Sequence, residues 1–341
     1  MKTLKKLCEL RGISGREESV SDFILSEILP FCDAKRDNMG NILAFKKGKA
    51  APKKKLMLCA HTDEVGMLVT SVTDEGYLKF SCVGGIDPRI IFSSRVFVGD
   101  VPGVIGGKPI HMIDKGERGN APGIDDMYID IGAKSKEEAL SKVNLFSPVT
   151  FDSEFTEFGD GKIKARALDD RAGCAILIDL IKKDLPYDMH FAFTVQEEVG
   201  LRGAKTAAYT IDPDIAIIVE ATTAADIHGI DGADRVSVLD EGPVLSFMDN
   251  RTIYDKELFE LALKTAESNN IKAQVKSKVA GGNDAGAVHT SRGGVRTLAV
   301  SLPCRYLHSP VCVISKDDYE STKALLDAML DALQLRIKNE E

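Results

Sequence analysis

At 341 residues, 44% apolar and 28% charged, the chain has the make-up of a globular protein, and its length points to two domains rather than one core. Its 44 Lys and Arg against 52 Asp and Glu leave a net charge of −8, which argues against a nucleic-acid partner. No apolar run reaches the about 18 residues of a membrane helix, and the basic start Met1–Lys6 lacks the apolar stretch and cleavage site of a leader, so a cytoplasmic protein with no membrane partner is expected.

In chain order, residues 3–11 and about 16–29 read as helices. Ser14-Gly15-Arg16-Glu17 has the form of a capping box opening the second, whose Val20, Phe23, Ile24 and Ile28 keep a helical period. A turn at Asn38–Asn41 precedes a strand over 42–46. Lys53-Lys54-Lys55 reads as the solvated entry to a buried strand over 56–60. From 66 to 162, short alternating segments are broken by Gly76, Gly84-Gly85, Gly99, Gly103 and Gly106-Gly107, an all-β texture with one short helix near 135–142. Helix 170–183, strands 190–196 and 214–220, helix 255–269, strand 295–303 and helix 316–337 follow. The expected fold class is therefore α/β, built from residues 1–65 plus 163–341 and interrupted at 66–162 by a small β-rich inserted domain. The seven cysteines show no Cys-x-x-Cys spacing, and Cys59, Cys174 and Cys304 sit in apolar runs, so a reduced protein without a zinc-thiolate site is expected.

Metal-type side chains stand at the ends of five strand-like runs, on both sides of the insertion. Ligands in open α/β sheets bind outside the carboxyl ends of the strands, so five such runs suggest one shared site. His61 and Asp63 form a His-x-Asp unit in which Asp63 binds metal itself or, more economically, holds the His61 imidazole in its tautomer. Asp169 and Asp170 open a helix. One of them suffices as its cap, and Asp169 could bridge two ions about 3.5–4 Å apart. Of the adjacent acids Glu197 and Glu198, one would bind metal while the other faces substrate as general base. Glu220 ends the buried run Ala216–Val219, where a bare charge is costly. His308 follows the last strand on a loop. No P-loop, dinucleotide fingerprint or Gly-x-Ser-x-Gly elbow is present.

The stretches Ala60-His61-Thr62-Asp63-Glu64-Val65-Gly66, Ala167-Leu168-Asp169-Asp170-Arg171, Val195-Gln196-Glu197-Glu198-Val199-Gly200 and Leu307-His308-Ser309 resemble the signatures of the tetrahedral aminopeptidases. These di-zinc peptidases include glutamyl and deblocking aminopeptidases, some of them labelled endoglucanases. The resemblance spans essentially the whole chain, including Gly85-Ile86-Asp87-Pro88 and Lys108-Pro109-Ile110-His111 in the insertion. It implies a mixed central sheet flanked by helices and an insertion that serves dimerisation. It also implies metal ligands at His61, Asp169 (bridging), Glu198, Glu220 and His308, with Glu197 as general acid/base and Asp63 supporting His61. Many members carry aspartate at the position of Glu220; glutamate is also a competent ligand, but the change bears on metal geometry and ion preference. The resemblance further implies a homododecamer, a hollow tetrahedron that small peptides enter.

The expected activity is removal of N-terminal residues from short peptides, with two divalent ions per subunit. Zinc is the default for such ligands, and cobalt or manganese fit as well. A related di-metal carboxypeptidase or N-deacylase shares the ligand logic, although its first motif tends to run His-x-Asp-x-Val-Pro where this chain has Gly66. A metal-free glycosidase would leave His61 and His308 unexplained. A non-catalytic assembly protein predicts a lost ligand or base, and none is missing. Arg251, Arg292 and Arg305 are the candidates for an acid-selecting pocket, and His289, just beyond the glycine-rich turn 281–286, is a further substrate-binding candidate.

Overall fold

The computed structural model describes residues 1–116 and 119–339, with side chains described to residue 333. Helices α1 (Lys2–Glu9) and α2 (Glu18–Ile28) lead into strands β1 (Asp33–Arg36), β2 (Ile42–Lys46) and β3 (Leu56–His61). The middle of the chain forms β4 (Gly66–Val72), β5 (Leu78–Val83), α3 (Pro88–Ile91), β6 (Arg95–Val98), β7 (Val101–Gly106), β8 (Tyr128–Asp130), α4 (Lys136–Lys142) and β9 (Pro148–Phe151). There follow β10 (Thr156–Phe158), β11 (Lys162–Ala165), α5 (Leu168–Ile181), β12 (Met189–Thr194), α6 (Arg202–Ile211) and β13 (Ile215–Thr223). The chain continues through β14 (Val244–Leu245), α7 (Lys256–Ser268), β15 (Gln274–Val275), α8 (Ala285–Val288), β16 (Arg296–Cys304), β17 (Cys312–Ser315) and α9 (Lys316–Asn339).

The fold is α/β around an eight-stranded mixed sheet of order β1-β2-β12-β3-β13-β16-β14-β15. Its four central strands β12, β3, β13 and β16 are mutually parallel, and the flanking β2 and β14 run against them. Strands buried on both faces need near-continuous apolar sequence, and Leu56–Ala60 and Ile215–Val219 supply it. α5 crosses the sheet with apolar residues all round, as a fully buried helix must. α6 and α8 cover the opposite face through small alanine-rich contacts. All seven cysteines are free thiols.

Strands β4-β5-β8-β7-β6-β9 close into a barrel filled by Met67, Val69, Leu78, Val96, Ile105, Ile129 and Val149. The alternation in β6, with Val96 and Val98 buried between more exposed neighbours, follows the pleat. β10 and β11 lie outside this ladder; they pair with each other, and β11 pairs in turn with β17. No helix among the described residues is long and apolar enough to cross a membrane.

The expected capping box takes a different form. α2 starts at Glu18 with Glu17 as its cap position and no side-chain cap bond. The Ser14 hydroxyl donates to Asp63 Oδ2 at 2.6 Å, and Glu17 Oε1 accepts from Gly15 N at 2.7 Å and Gln196 N at 3.2 Å. The local helix signal is overridden because those polar groups meet the strand ends of the central sheet. Arg171, fully buried, fastens the same segment. Its guanidinium donates to the carbonyl oxygens of Leu7, Leu10, Gly12 and Thr62.

Candidate active site

Four parallel strands side by side send their carboxyl ends to one edge of the sheet, and the candidate residues gather there. His61 closes β3. Its Nε2 lies 3.2 Å from Asp169 Oδ1 and 3.3 Å from Glu220 Oε1, the latter carried on β13. Across the same carboxylate, His308 Nε2 lies 3.5 Å from Asp169 Oδ2 and 3.2 Å from Glu198 Oε2. Asp169 thus faces two groups, His61–Asp169–Glu220 and Asp169–Glu198–His308, and within each the potential ligand atoms all lie within 4.8 Å of one another. Glu197 forms a further such group with His61 and Glu198.

The backbone that presents these side chains is specialised. Ala167, Gln196 and His308 each adopt positive φ (56°, 56° and 57°), a conformation that costs a non-glycine residue about 1–3 kcal/mol unless its surroundings hold it. The left-handed turn at Gln196 brings the adjacent acids Glu197 and Glu198 round so that both face the site. Asp63 anchors that turn, since Oδ1 accepts from Glu197 N at 3.0 Å and Oδ2 from Glu198 N at 3.2 Å. His61 Nδ1 lies 3.1 Å from the Asp63 carbonyl oxygen and 3.5 Å from Asp63 Oδ1, so an Nδ1 proton is held there and Nε2 is left as a lone-pair donor. Asp170 takes the capping role, with Oδ1 accepting from Gly173 N at 3.0 Å, while Asp169 is left to the site. The bond between these two aspartates is cis. His308 Nδ1 sits 2.8 Å from the carbonyl oxygen of Gly85, in the loop after β5, so the β-rich segment helps to aim this imidazole.

The electrostatics are those of crowded, buried acids. Burial, reinforced by Asp169, pushes Glu198 up to about 8; burial likewise raises Glu220 to about 8, against the opposing pull of His61. Burial lifts Glu197 well above its ordinary value, and Glu220 adds to the effect. Burial alone would lower both imidazoles. Glu220 and Asp169 nevertheless hold His61 well above its usual value, and Asp169 and Glu198 bring His308 up to about 10. Asp169, despite burial, is kept below the ordinary carboxylate range by His308 and His61.

A di-metal centre fits this donor set. The two imidazoles and the carboxylates of Asp169, Glu198 and Glu220 are borderline-to-hard ligands suited to zinc and its neighbours. Glu198 Oε1 is buried with no hydrogen-bond partner, an acceptor that a cation would satisfy.

A cleft opens beside this centre, lined by Glu197, Thr223, Ser246, Lys276, Asn283 and Ser301 among others. The substrate-binding candidates from the sequence are not brought into its wall. Arg305 is held by Asp226 through Nε at 2.7 Å and Nη2 at 2.6 Å. His289 Nδ1 lies 2.8 Å from its own helix's Ala285 carbonyl oxygen. The Arg251 stem packs closely against Gly282 and Gly286, where any added Cβ would strike it. Arg292 lies over the Tyr209 ring and donates to its carbonyl oxygen. Among the described residues, the Lys or Arg that does line the cleft is Lys276, which no motif in the sequence singles out. Its signal was faint, because Lys272, Lys276 and Lys278 sit together in a polar stretch, and only the two-residue strand β15 selects one of them.

Residues 40–325 match the family described as M42 glutamyl aminopeptidase. A putative aminopeptidase of Acetivibrio thermocellus is 40% identical over 326 residues, covering 95% of this chain and 96% of its own. The TET aminopeptidase of a marine-sediment thaumarchaeon superposes with a TM-score of 0.94 at 33% identity, covering 99% of this chain and 97% of that one. The TET1 peptidase of Pyrococcus horikoshii, which can assemble into a tetrahedron or a large octahedral shell, gives a TM-score of 0.84 at 36% identity over 96% of this chain and 98% of its own.

Proposed function

The chain belongs to the M42 glutamyl aminopeptidase family, and from that premise we propose that it removes N-terminal residues from short peptides with two divalent cations and Glu197 as general base. One cation would be held by His61, Asp169 and Glu220, the other by Asp169, Glu198 and His308. Zinc is the default, with cobalt or manganese as alternatives. When bound, such a pair supplies a water whose pKa falls from about 15.7 toward about 7 and polarises the scissile carbonyl. The observation that carries the reading is the Asp169 carboxylate lying between two imidazoles, one oxygen toward each.

The protein's own groups have separable tasks in this reading. A Glu197 carboxylate oxygen takes the proton from the attacking water and returns it to the departing amine. Asp63 keeps the Glu197-Glu198 turn in register through the two backbone amides and fixes the His61 tautomer. The substrate's free α-amine is met by a ligand carboxylate. The test is the identity of the residue released from free and from N-acylated peptides. Stepwise release from the free N-terminus supports the proposal, whereas cleavage confined to acylated substrates or to the C-terminus transfers the protein to the deacylase and carboxypeptidase group.

The domain division proposed is a catalytic unit of residues 1–65 plus 163–341 and a dimerisation insertion at 66–162. Self-assembly into a homododecamer is supported by the shells formed by the Pyrococcus horikoshii relative. Exposed Val104, Ile110 and Met112 in the insertion also favour a partner surface. Light scattering should return a mass about twelve times that of one chain; a monomer would refute the assembly.

A further inference from the structure

We propose that Glu17 is a positioning residue for the turn that carries Glu197 and Glu198, acting with Asn41 and Asp63 as a side-chain cradle; the proposal rests on the aminopeptidase reading above. The chain leaves the central sheet at the end of β12, so backbone N–H groups beyond Thr194 need acceptors other than a neighbouring strand. Side chains from three distant points of the chain supply them. Val195 N donates to Asn41 Oδ1 at 3.0 Å and Gln196 N to Glu17 Oε1 at 3.2 Å. Glu197 N and Glu198 N donate to the two oxygens of Asp63 at 3.0 and 3.2 Å. Glu17 is 6% exposed, and Asn41 and Asp63 are fully buried.

Glu17 is not placed to serve its own helix. It occupies the cap position of α2 but makes no side-chain cap bond. Its Oε1 turns back to Gly15 N at 2.7 Å and across to Gln196 N. The segment that carries it is fastened independently. Ile13 forms a short parallel bridge with Glu64, Glu64 N donates to the Gly12 carbonyl oxygen at 3.0 Å, and Ser14 Oγ donates to Asp63 Oδ2 at 2.6 Å. Removing the Glu17 carboxyl therefore leaves the segment anchored and takes away the acceptor at Gln196. Asn41 has wider duties, since its Nδ2 also donates to Asp37 Oδ2, the Gly203 carbonyl oxygen and Thr206 Oγ1.

The bond from Gln196 lies where the turn is most demanding. Its φ of 56° swings the two following acids toward the site, whereas in extended backbone adjacent side chains point to opposite sides. Without an acceptor for its N–H, one of the bonds that hold this left-handed conformation is lost. The consequence is uneven. Glu198 belongs to the group with Asp169 and His308, while the group of His61, Asp169 and Glu220 draws nothing from this turn. Loss of Glu17 should thus disturb one cation and the general base together and spare the other cation.

The experiment titrates zinc calorimetrically into metal-stripped protein. Glu17→Ala should bind one equivalent as the wild type does and the other about 10- to 100-fold more weakly, as when a group that orients a ligand is lost. On an unblocked alanine peptide at saturating zinc, its kcat should fall by a similar factor with KM within about threefold of wild type. Glu17→Gln keeps an amide oxygen that accepts from both N–H groups and should recover both properties. Tyr187→Phe removes a buried hydroxyl that donates to the Leu330 carbonyl oxygen before the other end of β12. It should lower the melting temperature and leave both zinc equivalents unchanged, which separates the cradle from general destabilisation. Equal weakening of the two equivalents in Glu17→Ala overturns the proposal, as does normal binding with normal kcat, or a Glu17→Gln variant no better than Glu17→Ala. In metal-stripped wild type the Gln196 amide should be protected from hydrogen exchange; exchange at the rate of an open loop overturns the proposal even if Glu17→Ala fails to fold. No peptide turnover by the wild type, with the zinc and exchange results as expected, would leave the cradle standing and strike at the aminopeptidase reading itself.

Discussion

Glu197→Gln is expected to lower kcat/KM on an unblocked peptide by about 10^3-fold, within the span that general bases contribute, while leaving two metal equivalents per chain. The substitution keeps the side chain's volume, and the turn that carries it is fixed through backbone amides by Asp63, which the change does not touch. What is lost is an acceptor for the water's proton. Burial lifts this carboxyl well above its ordinary range, and a poorly solvated carboxylate is a correspondingly stronger base once ionised. Steady-state kinetics alongside elemental analysis checks both halves of the prediction. Activity within about tenfold of wild type would move the base elsewhere.

Asp169→Asn should weaken both metal positions at once. The carboxylate lies between His61 and His308, and an amide has only one oxygen to offer. Calorimetric titration of the metal-stripped variant is expected to show at most one tight equivalent. Turnover should fall by about 10^3-fold or more, corresponding to several kcal/mol of lost transition-state stabilisation. Two tight equivalents with near-normal turnover would show that Asp169 does not bridge.

Much of this site can be read from sequence because of how parallel sheets are built. Strands buried on both faces spell continuous apolar runs, so their carboxyl ends are easy to find, and His61, Glu197, Glu198 and Glu220 stand at or near them. The structure brings these side chains together with Asp169 and His308 at one edge. The long periodic elements, such as α7 and β16, fall within a residue or so of their expected bounds. Short elements were not legible. The strands β14 and β15 have two residues each and leave no periodic trace, yet β15 is what turns Lys276 into the cleft. Ser14 and Glu17 misled for a different reason. Their spacing matches a helix cap, but their partners, Asp63 and Gln196, lie 49 and 179 residues away in the chain, and only the folded sheet reveals them. Arg305 is a similar case, since it finds Asp226 in a distant loop, a partner its local sequence does not announce.

The most direct test of the central claim is amino-acid release from a panel of unblocked peptides by metal-stripped protein, with zinc or cobalt titrated back. The account predicts no release from the stripped protein and stepwise release from the N-terminus that saturates near two equivalents of metal per chain. Equal release with and without metal, or none at any metal concentration, would contradict it.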